Sequence, residues 1–118
     1  YSAVDYIQAQ RARSLGVAAM QDVFRSVDVI VTPTTGTQSR ITNLTGHPAV
    51  IVPNGLRGED APTPISTEDG SEDNVGGPGT PVSITFLGGL YDDARVAAFA
   101  RAYQEASGFQ QMHPKLAG

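Results

Sequence analysis

Three short runs rich in β-branched residues constrain the fold of this chain more than any other feature. They are VDVIVT at 27–32, AVIV at 49–52 and PVSITFL at 81–87. Runs of this length and composition predict β-strands. The first two are almost continuously apolar, which predicts strands buried on both faces, as in α/β sheets. The third alternates apolar and polar residues, which predicts a strand with one more polar face.

Two longer segments have helical periodicity. Residues 3–26 carry apolar side chains at spacings of about four, which predicts a helix packed on the core; these side chains are Leu15, Ala19, Met20, Val23, Phe24 and Val27. The second segment follows Gly88 and Gly89, with Asp92 as a candidate N-cap and Gly108 as a stop. Its apolar positions are 96, 99, 100 and 103, the spacing of one helix face.

Two helices cannot cover both faces of a sheet whose strands are apolar on each side. We therefore predict an α/β fold in which this chain supplies about three strands and two main helices to a larger sheet. The remaining sheet and helices would come from residues outside this chain. The polar stretch 34–40 predicts a loop, and Pro53-Asn54-Gly55 predicts a turn after the second strand.

An acidic, Gly- and Pro-rich segment separates the second and third strands. Residues 55–80 hold six of the twelve acidic residues and show no apolar periodicity, which predicts a surface loop inserted at about 57–80. Its GGPG sequence lacks the lysine and spacing of a phosphate-binding loop. The acid spacing in EDGSEDN does not match a calcium-binding EF-hand loop.

Composition excludes several classes of function. A net charge of -4 and scattered arginines argue against nucleic-acid binding. The absence of cysteine excludes disulfides, thiol catalysis and cysteine zinc sites. No apolar run approaches the roughly 20 residues of a membrane helix. We predict no metal and no cofactor, and a cytoplasmic location is favoured while the compartment stays open.

The residues with catalytic potential form no self-sufficient set. The chain has no G-x-S-x-G nucleophile motif. His47 and His113 both precede prolines in predicted loops, where a turn-stabilising or surface role is the common one. The single lysine, Lys115, lies near the end and is predicted to be solvated, so it is not a candidate base. We assign no catalytic residue to this chain.

The order of the segments resembles one enzyme family. YIQAQRARS followed by FRSVDVIVTPTTG is similar to the late helix and strand of the amidase signature family. NLTGHPAVIVPNG resembles that family's N-L-[AT]-G-x-P-A-[IV]-x-V-P-x-G segment. TPVSITFLGGLYDDARVAAFARAYQEASGFQQMHPKL resembles its final strand, helix and closing tail. The resemblance covers most of the chain outside residues 57–79.

The resemblance implies a mixed sheet flanked by helices and the hydrolysis of amide bonds. In that family the triad consists of a serine nucleophile, a second serine on a cis peptide and a lysine. All three would lie upstream, so this chain would be the C-terminal segment of an amidase domain. The expected partners are the remainder of that domain and a small amide, and a homodimer is left open. Thr34 and Thr35 follow the first strand and are candidate pocket residues, because ligands often bind beyond the carboxyl ends of strands.

Two departures from the family pattern leave alternatives open. The acidic loop replaces a short turn between two strands. The segment TGTQSRIT at 35–42 holds no Asp or Glu, although amidotransferase A subunits carry an acidic amide ligand near this point, so a general amidase is favoured. The alternatives are a non-catalytic amidase-like subunit or scaffold that docks through the acidic loop, and a free-standing small α/β binding domain.

Overall fold

The computed structural model of the protein describes residues 1–34, 37–61 and 76–114. The elements in chain order are α1 (Ala3–Val23), β1 (Ile30–Pro33), α2 (Thr37–Thr45), β2 (Ala49–Leu56), β3 (Pro81–Leu87) and α3 (Asp93–Ser107). A 3-10 turn at Phe109–Gln111 follows α3. The predicted α/β class is confirmed.

The described strands form one antiparallel sheet in the order β1-β3-β2. β3 is the central strand, and its Thr85 lies opposite Thr32 of β1 and Ile51 of β2. Side chains alternate between faces along a strand. Thr32, Thr85 and Ile51 therefore share one face, while Phe86 and its partners Val31 and Val50 share the other.

The core lies between α3 and the Phe86 face of the sheet. Val96 and Ala100 of α3 are 0% and 2% exposed, and they cluster with Val52 and Phe86. Phe86 also makes edge-to-face contacts with Phe99 and Tyr103 at ring-centroid distances of 5.1 and 5.3 Å. The predicted helix face of α3 is thus confirmed. Gly108 ends the helix in the left-handed conformation, at φ 68°, as a C-cap glycine does.

The turn predicted at Pro53-Asn54-Gly55 is wrong. β2 continues through these residues to Leu56, and the pairing with β3 shifts between Pro53 and Leu56. Such an irregularity is a β-bulge, which absorbs an extra residue without ending the strand. Gly55 permits it, because its φ of 109° is one that other residues rarely adopt.

The loop predicted at 34–40 is wrong in its second half. α2 begins at Thr37 and ends at Thr45, so the N-L-T sequence at 43–45 is the end of a helix. The backbone N–H of Gly46 donates to Thr42 O at 2.8 Å, which closes the last turn. The chain then reverses at Gly46, where φ is 79°.

The burial predicted for the first helix and the first two strands is also wrong. None of the residues of α1 is buried, and Leu15 is 75% exposed. Val31 of β1 and Ile51 of β2 are 52% and 56% exposed, on opposite faces of the sheet. α3 covers the β2 side of one face, and α1 packs chiefly on α2. The apolar surface that the sequence assigned to a core therefore lies uncovered.

The two ends of the segment predicted as an inserted loop are paired with each other. The N–H of Arg57 donates to Thr80 O, and the N–H of Gly79 donates to Arg57 O, both at 2.9 Å. Since β2 and β3 are antiparallel neighbours, the segment joins adjacent strands. Residues 62–75, which include EDGSEDN and four of the six acidic residues of this segment, lie outside the described residues.

Candidate functional site

Thr34, one of the two pocket residues predicted after β1, lies at one end of a row of hydroxyl groups. Thr34 is half-buried, and its Oγ1 accepts a hydrogen bond from Thr85 Oγ1 at 3.3 Å. Thr85 and its partner Thr32 are 3% and 8% exposed. Three threonine side chains are thus brought together on one face, where β1 ends. Thr35 lies outside the described residues.

A cleft of about 290 Å³ lies chiefly on the other face of the sheet, the face of Phe86, Val31 and Ile84. Its walls are the end of β1, the first half of β3 and the bulge of β2, and it is lined in part by Thr32, Pro33, Asn54, Ser83 and Ile84. The polar groups at the cleft are hydroxyls, an amide and backbone groups. They can orient a polar ligand through hydrogen bonds, and none of them is an acid or a base at neutral pH.

Asn54 is held at this cleft by a side chain of α3. The hydroxyl of Tyr103 in α3 donates to Asn54 Oδ1. With its oxygen engaged, the amide keeps two N–H donors for other partners. The ring of Tyr103 packs against Phe86 and Phe109. Phe109 also lies over Gly55, since a Cβ built on Gly55 would be 3.6 Å from Phe109 Cε1. The bulge and the aromatic cluster therefore fix Asn54 together.

Sequence reasoning missed Asn54, Ser83 and Thr85. The Pro-Asn-Gly sequence was interpreted as a turn, although a bulge uses the same residues. Ser83 and Thr85 were assigned to a polar face of β3 without a role. The alternation of hydroxyls at 83 and 85 with a threonine at 32 was the available signal, but the register that joins them is a long-range contact.

A second cleft of about 550 Å³ lies where residues 78–81 approach the tail. Glu59 and His113 both line it, and both are exposed. The exposed position of His113 agrees with the surface role predicted for it. Lys115 lies outside the described residues.

His47 is the one histidine buried in the described part of the chain, at 4% exposure. Its Nδ1 lies 2.8 Å from Thr45 Oγ1, and burial lowers the pKa of the imidazole. A histidine beside a hydroxyl is the pairing of a nucleophile and its base. Here the hydroxyl donates to Ile41 O at 2.9 Å, and Thr45 is 7% exposed, so this pair is closed to a substrate. The structural role predicted for His47 agrees with this geometry.

The described residues contain neither a metal-binding group nor a membrane-spanning helix. Within 1–34, 37–61 and 76–114, no group of three or more His, Cys, Asp or Glu side chains is placed to hold a metal ion. None of the helices in these ranges combines the length and apolar character needed to cross a membrane.

Curated relatives match almost the whole chain. The A subunit of glutamyl-tRNA(Gln) amidotransferase from Geobacillus thermodenitrificans is 30% identical over 119 residues, 94% of this chain. The subunit of the same name from Oceanobacillus iheyensis is 27% identical over 124 residues, 96% of this chain. That from Bacillus velezensis is 29% identical over 113 residues. The chain is a homologue of amidase-signature proteins.

The amidase-signature homology confirms the resemblance drawn from the three sequence segments. The chain spans 23% of the length of each of these relatives. No family model matches the chain, and no solved structure matches it significantly.

Proposed function

We propose that this chain is the C-terminal segment of an amidase-signature enzyme that hydrolyses an amide bond. The observation that carries the proposal is the alignment of 94–96% of the chain with 23% of the relatives' length. A serine nucleophile, a bridging serine on a cis peptide and a lysine would be supplied by residues upstream of Tyr1. No credible nucleophile and base occur among the described residues, which agrees with this division of labour.

The segment would complete the sheet and form part of the wall of the substrate pocket. The half-buried hydroxyl of Thr34, which accepts a hydrogen bond from the buried Thr85, offers a donor and an acceptor to the amide group of a small substrate. Thr35 belongs to the same proposed wall by its place in the sequence.

The uncovered apolar surfaces indicate where the remainder of the domain would pack. Ile51 is exposed on one face of the sheet and Val31 on the other. A further apolar groove of about 430 Å³ lies between α1 and α2, lined in part by Ala9, Gly16, Ile41 and Leu44. Exposed patches of this kind mark interfaces, and the relatives' greater length supplies chain to cover them.

A second candidate function is that of an amidotransferase subunit, which generates ammonia from an amide and passes it to an acceptor. The names of the three relatives favour it. The absence of Asp and Glu from residues 35–42 weighs against it, since an acidic amide ligand was expected there. A non-catalytic, amidase-like scaffold remains the alternative in which no amide is cleaved.

The test uses the complete polypeptide that contains this chain. Labelling by a serine-reactive fluorophosphonate, lost when the upstream nucleophile is changed to Ala, together with release of ammonia from small amides, would support the amidase. The matched control Lys115→Ala should keep both activities, because Lys115 is not the triad lysine. Ammonia release from glutamine that rises in the presence of glutamyl-tRNA(Gln) would favour the amidotransferase. If the polypeptide shows no labelling and releases no ammonia, the result supports the non-catalytic scaffold.

A further inference from the structure

His47 lies where both N-terminal helices meet the sheet. Its ring stacks on Phe24, the C-cap residue of α1, at a centroid distance of 5.5 Å and an interplanar angle of 22°. Its Nδ1 contacts Thr45, the last residue of α2. The next residue, Pro48, accepts a hydrogen bond through its carbonyl from the N–H of Gly88 at 3.0 Å. One imidazole therefore touches the ends of α1 and α2 beside the strand β2.

The hydrogen bonds of Thr45 decide where the proton of this imidazole lies. A threonine hydroxyl has one proton to donate and two lone pairs that accept. Thr45 Oγ1 donates its proton to Ile41 O at 2.9 Å, so toward His47 it can only accept. The proton at the 2.8 Å contact must come from Nδ1. This assigns the neutral Nδ1–H tautomer to His47.

The other ring nitrogen is then a bare acceptor. Nε2 is buried and has no hydrogen-bond partner among the described residues. A buried acceptor without a partner is tolerated better than a buried N–H without one. Adding a proton at Nε2 would create both an orphaned donor and a buried positive charge. The neutral ring fits this junction and the imidazolium does not.

We propose that His47 is a proton-sensitive latch, whose neutral form holds the ends of α1 and α2 on the sheet and whose protonation at Nε2 releases them. The ring would have to reach water to accept the proton. Leaving its position breaks the stack on Phe24 and the hydrogen bond to Thr45 together. α3 is anchored separately through Val96 and Ala100, so it stays on the sheet when the latch opens.

No charged neighbour contributes to the lowered pKa of His47. The charged groups on the elements around it are Asp22 and Arg25 at the end of α1, Arg40 in α2, and Asp92 and Arg95 at the start of α3. Asp22 pairs with Arg25 at 3.3 Å, and Asp92 lies 3.7 Å from Arg95. Burial is the cause that lowers the pKa of His47 below its ordinary value of 6.5. The folded chain therefore binds this proton less readily than the unfolded chain. Above pH 6.5 the imidazole is neutral and the helix ends are held, and as the pH falls below 6.5 protonation of His47 increasingly favours their release.

The first experiment determines the tautomer by NMR of the imidazole nitrogens in the complete chain. Residue-specific assignment identifies the His47 imidazole, and a His113→Gln background removes the signal of the other histidine of this chain. We expect a proton on Nδ1 at neutral pH and a single protonation step, at Nε2, below pH 6.5. A proton on Nε2 at neutral pH would overturn the proposal.

The second experiment follows amide hydrogen exchange between neutral and mildly acid pH. The reporters are the N–H groups of Phe24 and Gly46, which close the ends of α1 and α2, and the N–H of Gly108 at the end of α3 is the internal control. After correction for the intrinsic pH dependence of exchange, protection at Phe24 and Gly46 should fall on acidification while protection at Gly108 is kept.

Two variants separate the latch from a merely structural histidine. His47→Asn keeps a donor for Thr45 and cannot be protonated, and His47→Phe keeps the stack on Phe24 alone. Both should lose the acid-dependent change in protection at Phe24 and Gly46. The same acid-dependent loss in both variants as in the wild type would overturn the proposal. If either variant fails to fold, the tautomer measured in the His113→Gln background still decides.

Discussion

Gly88 lies directly beneath Val96, and a Cβ built on Gly88 would overlap Val96 Cγ2. Val96 is fully buried and Gly88 is the first residue after β3, so the close approach joins the strand to the helix that covers it. We expect Gly88→Ala to force the two elements apart and lower the free energy of unfolding by about 1–3 kcal/mol. Urea unfolding of the complete chain measures this loss.

The neighbouring glycine supplies the control for this overlap. A Cβ at Gly89 would meet Asp92 Oδ2 at 3.5 Å, an ordinary contact, so Gly89→Ala should change the free energy of unfolding much less. Val96→Ala should relieve the overlap, so that Gly88→Ala costs less in that background than in the wild type. Equal losses from the two glycine variants would contradict the contact.

The hydrogen bond from Tyr103 to Asn54 is expected to stabilise the bulge of β2. Tyr103→Phe removes the donor and keeps the ring against Phe86, which isolates the hydrogen bond from the aromatic packing. We expect a loss of about 0.5–1.5 kcal/mol in the free energy of unfolding. Tyr91→Phe is the matched control, because Tyr91 is 94% exposed and its hydroxyl is in water. A loss of the same size in both variants would contradict the role of Asn54.

How far the sequence predicts the fold depends on the range of the contacts that decide each element. β3 and α3 were predicted within a residue or so of their ends, because alternation and a four-residue apolar spacing are local signals. α2 was missed because TQSRITNLT carries three threonines and a serine, residues of modest helix propensity that also favour loops. Its end is fixed by Thr45 and Gly46, whose bonds to Ile41 and Thr42 a propensity argument does not weigh.

The burial of β1 and β2 on both faces was predicted from their apolar composition. Composition does not show whether the residues that pack on each face of the sheet belong to this chain. Val31 and Ile51 have the side chains of core residues and lie exposed in this chain. The sequence predicted Thr34 and Thr35 as pocket residues and did not predict the hydroxyl row, because the register that brings Thr85 to Thr34 links residues 51 positions apart. Local pattern therefore named one residue of the hydroxyl row and not the two that the strand register adds to it.

The start of α1 should respond to pH through Asp5. Ser2 and Asp5 form a capping box, in which the Asp5 N–H donates to Ser2 Oγ at 3.1 Å and the Ser2 N–H donates to Asp5 Oδ2 at 2.9 Å. The hydrogen bonds from the Ser2 backbone and hydroxyl lower the pKa of the Asp5 carboxyl. The stabilising contribution is therefore present above the pKa of an unfolded aspartate and lost as the pH falls through the lower, folded value.

Amide exchange in the first turn of α1 measures this effect. Protection should fall on acidification in the wild type, and Asp5→Asn should show lowered protection already at neutral pH. Ser2→Ala should return the pKa of Asp5 toward its ordinary value, which NMR of the carboxyl carbon records. An unchanged pKa in Ser2→Ala would contradict the capping box.

The hydroxyl row should act on substrate binding rather than on the chemical step, if the proposed amidase places its amide against Thr34, whose hydroxyl is positioned by the buried Thr85. Replacing either hydroxyl by a methyl group keeps the volume and removes a hydrogen bond, so Thr34→Val and Thr85→Val should each raise KM about tenfold, which corresponds to roughly 1.4 kcal/mol of lost binding. The value of kcat should change little, because neither residue transfers a proton. Thr34→Ser keeps the hydroxyl and should leave KM close to that of the wild type, while Ser14→Ala on the exposed surface of α1 controls for a general effect on the fold. Steady-state kinetics of the complete enzyme on a small amide give both constants, and a fall in kcat with KM unchanged would remove these threonines from the pocket wall.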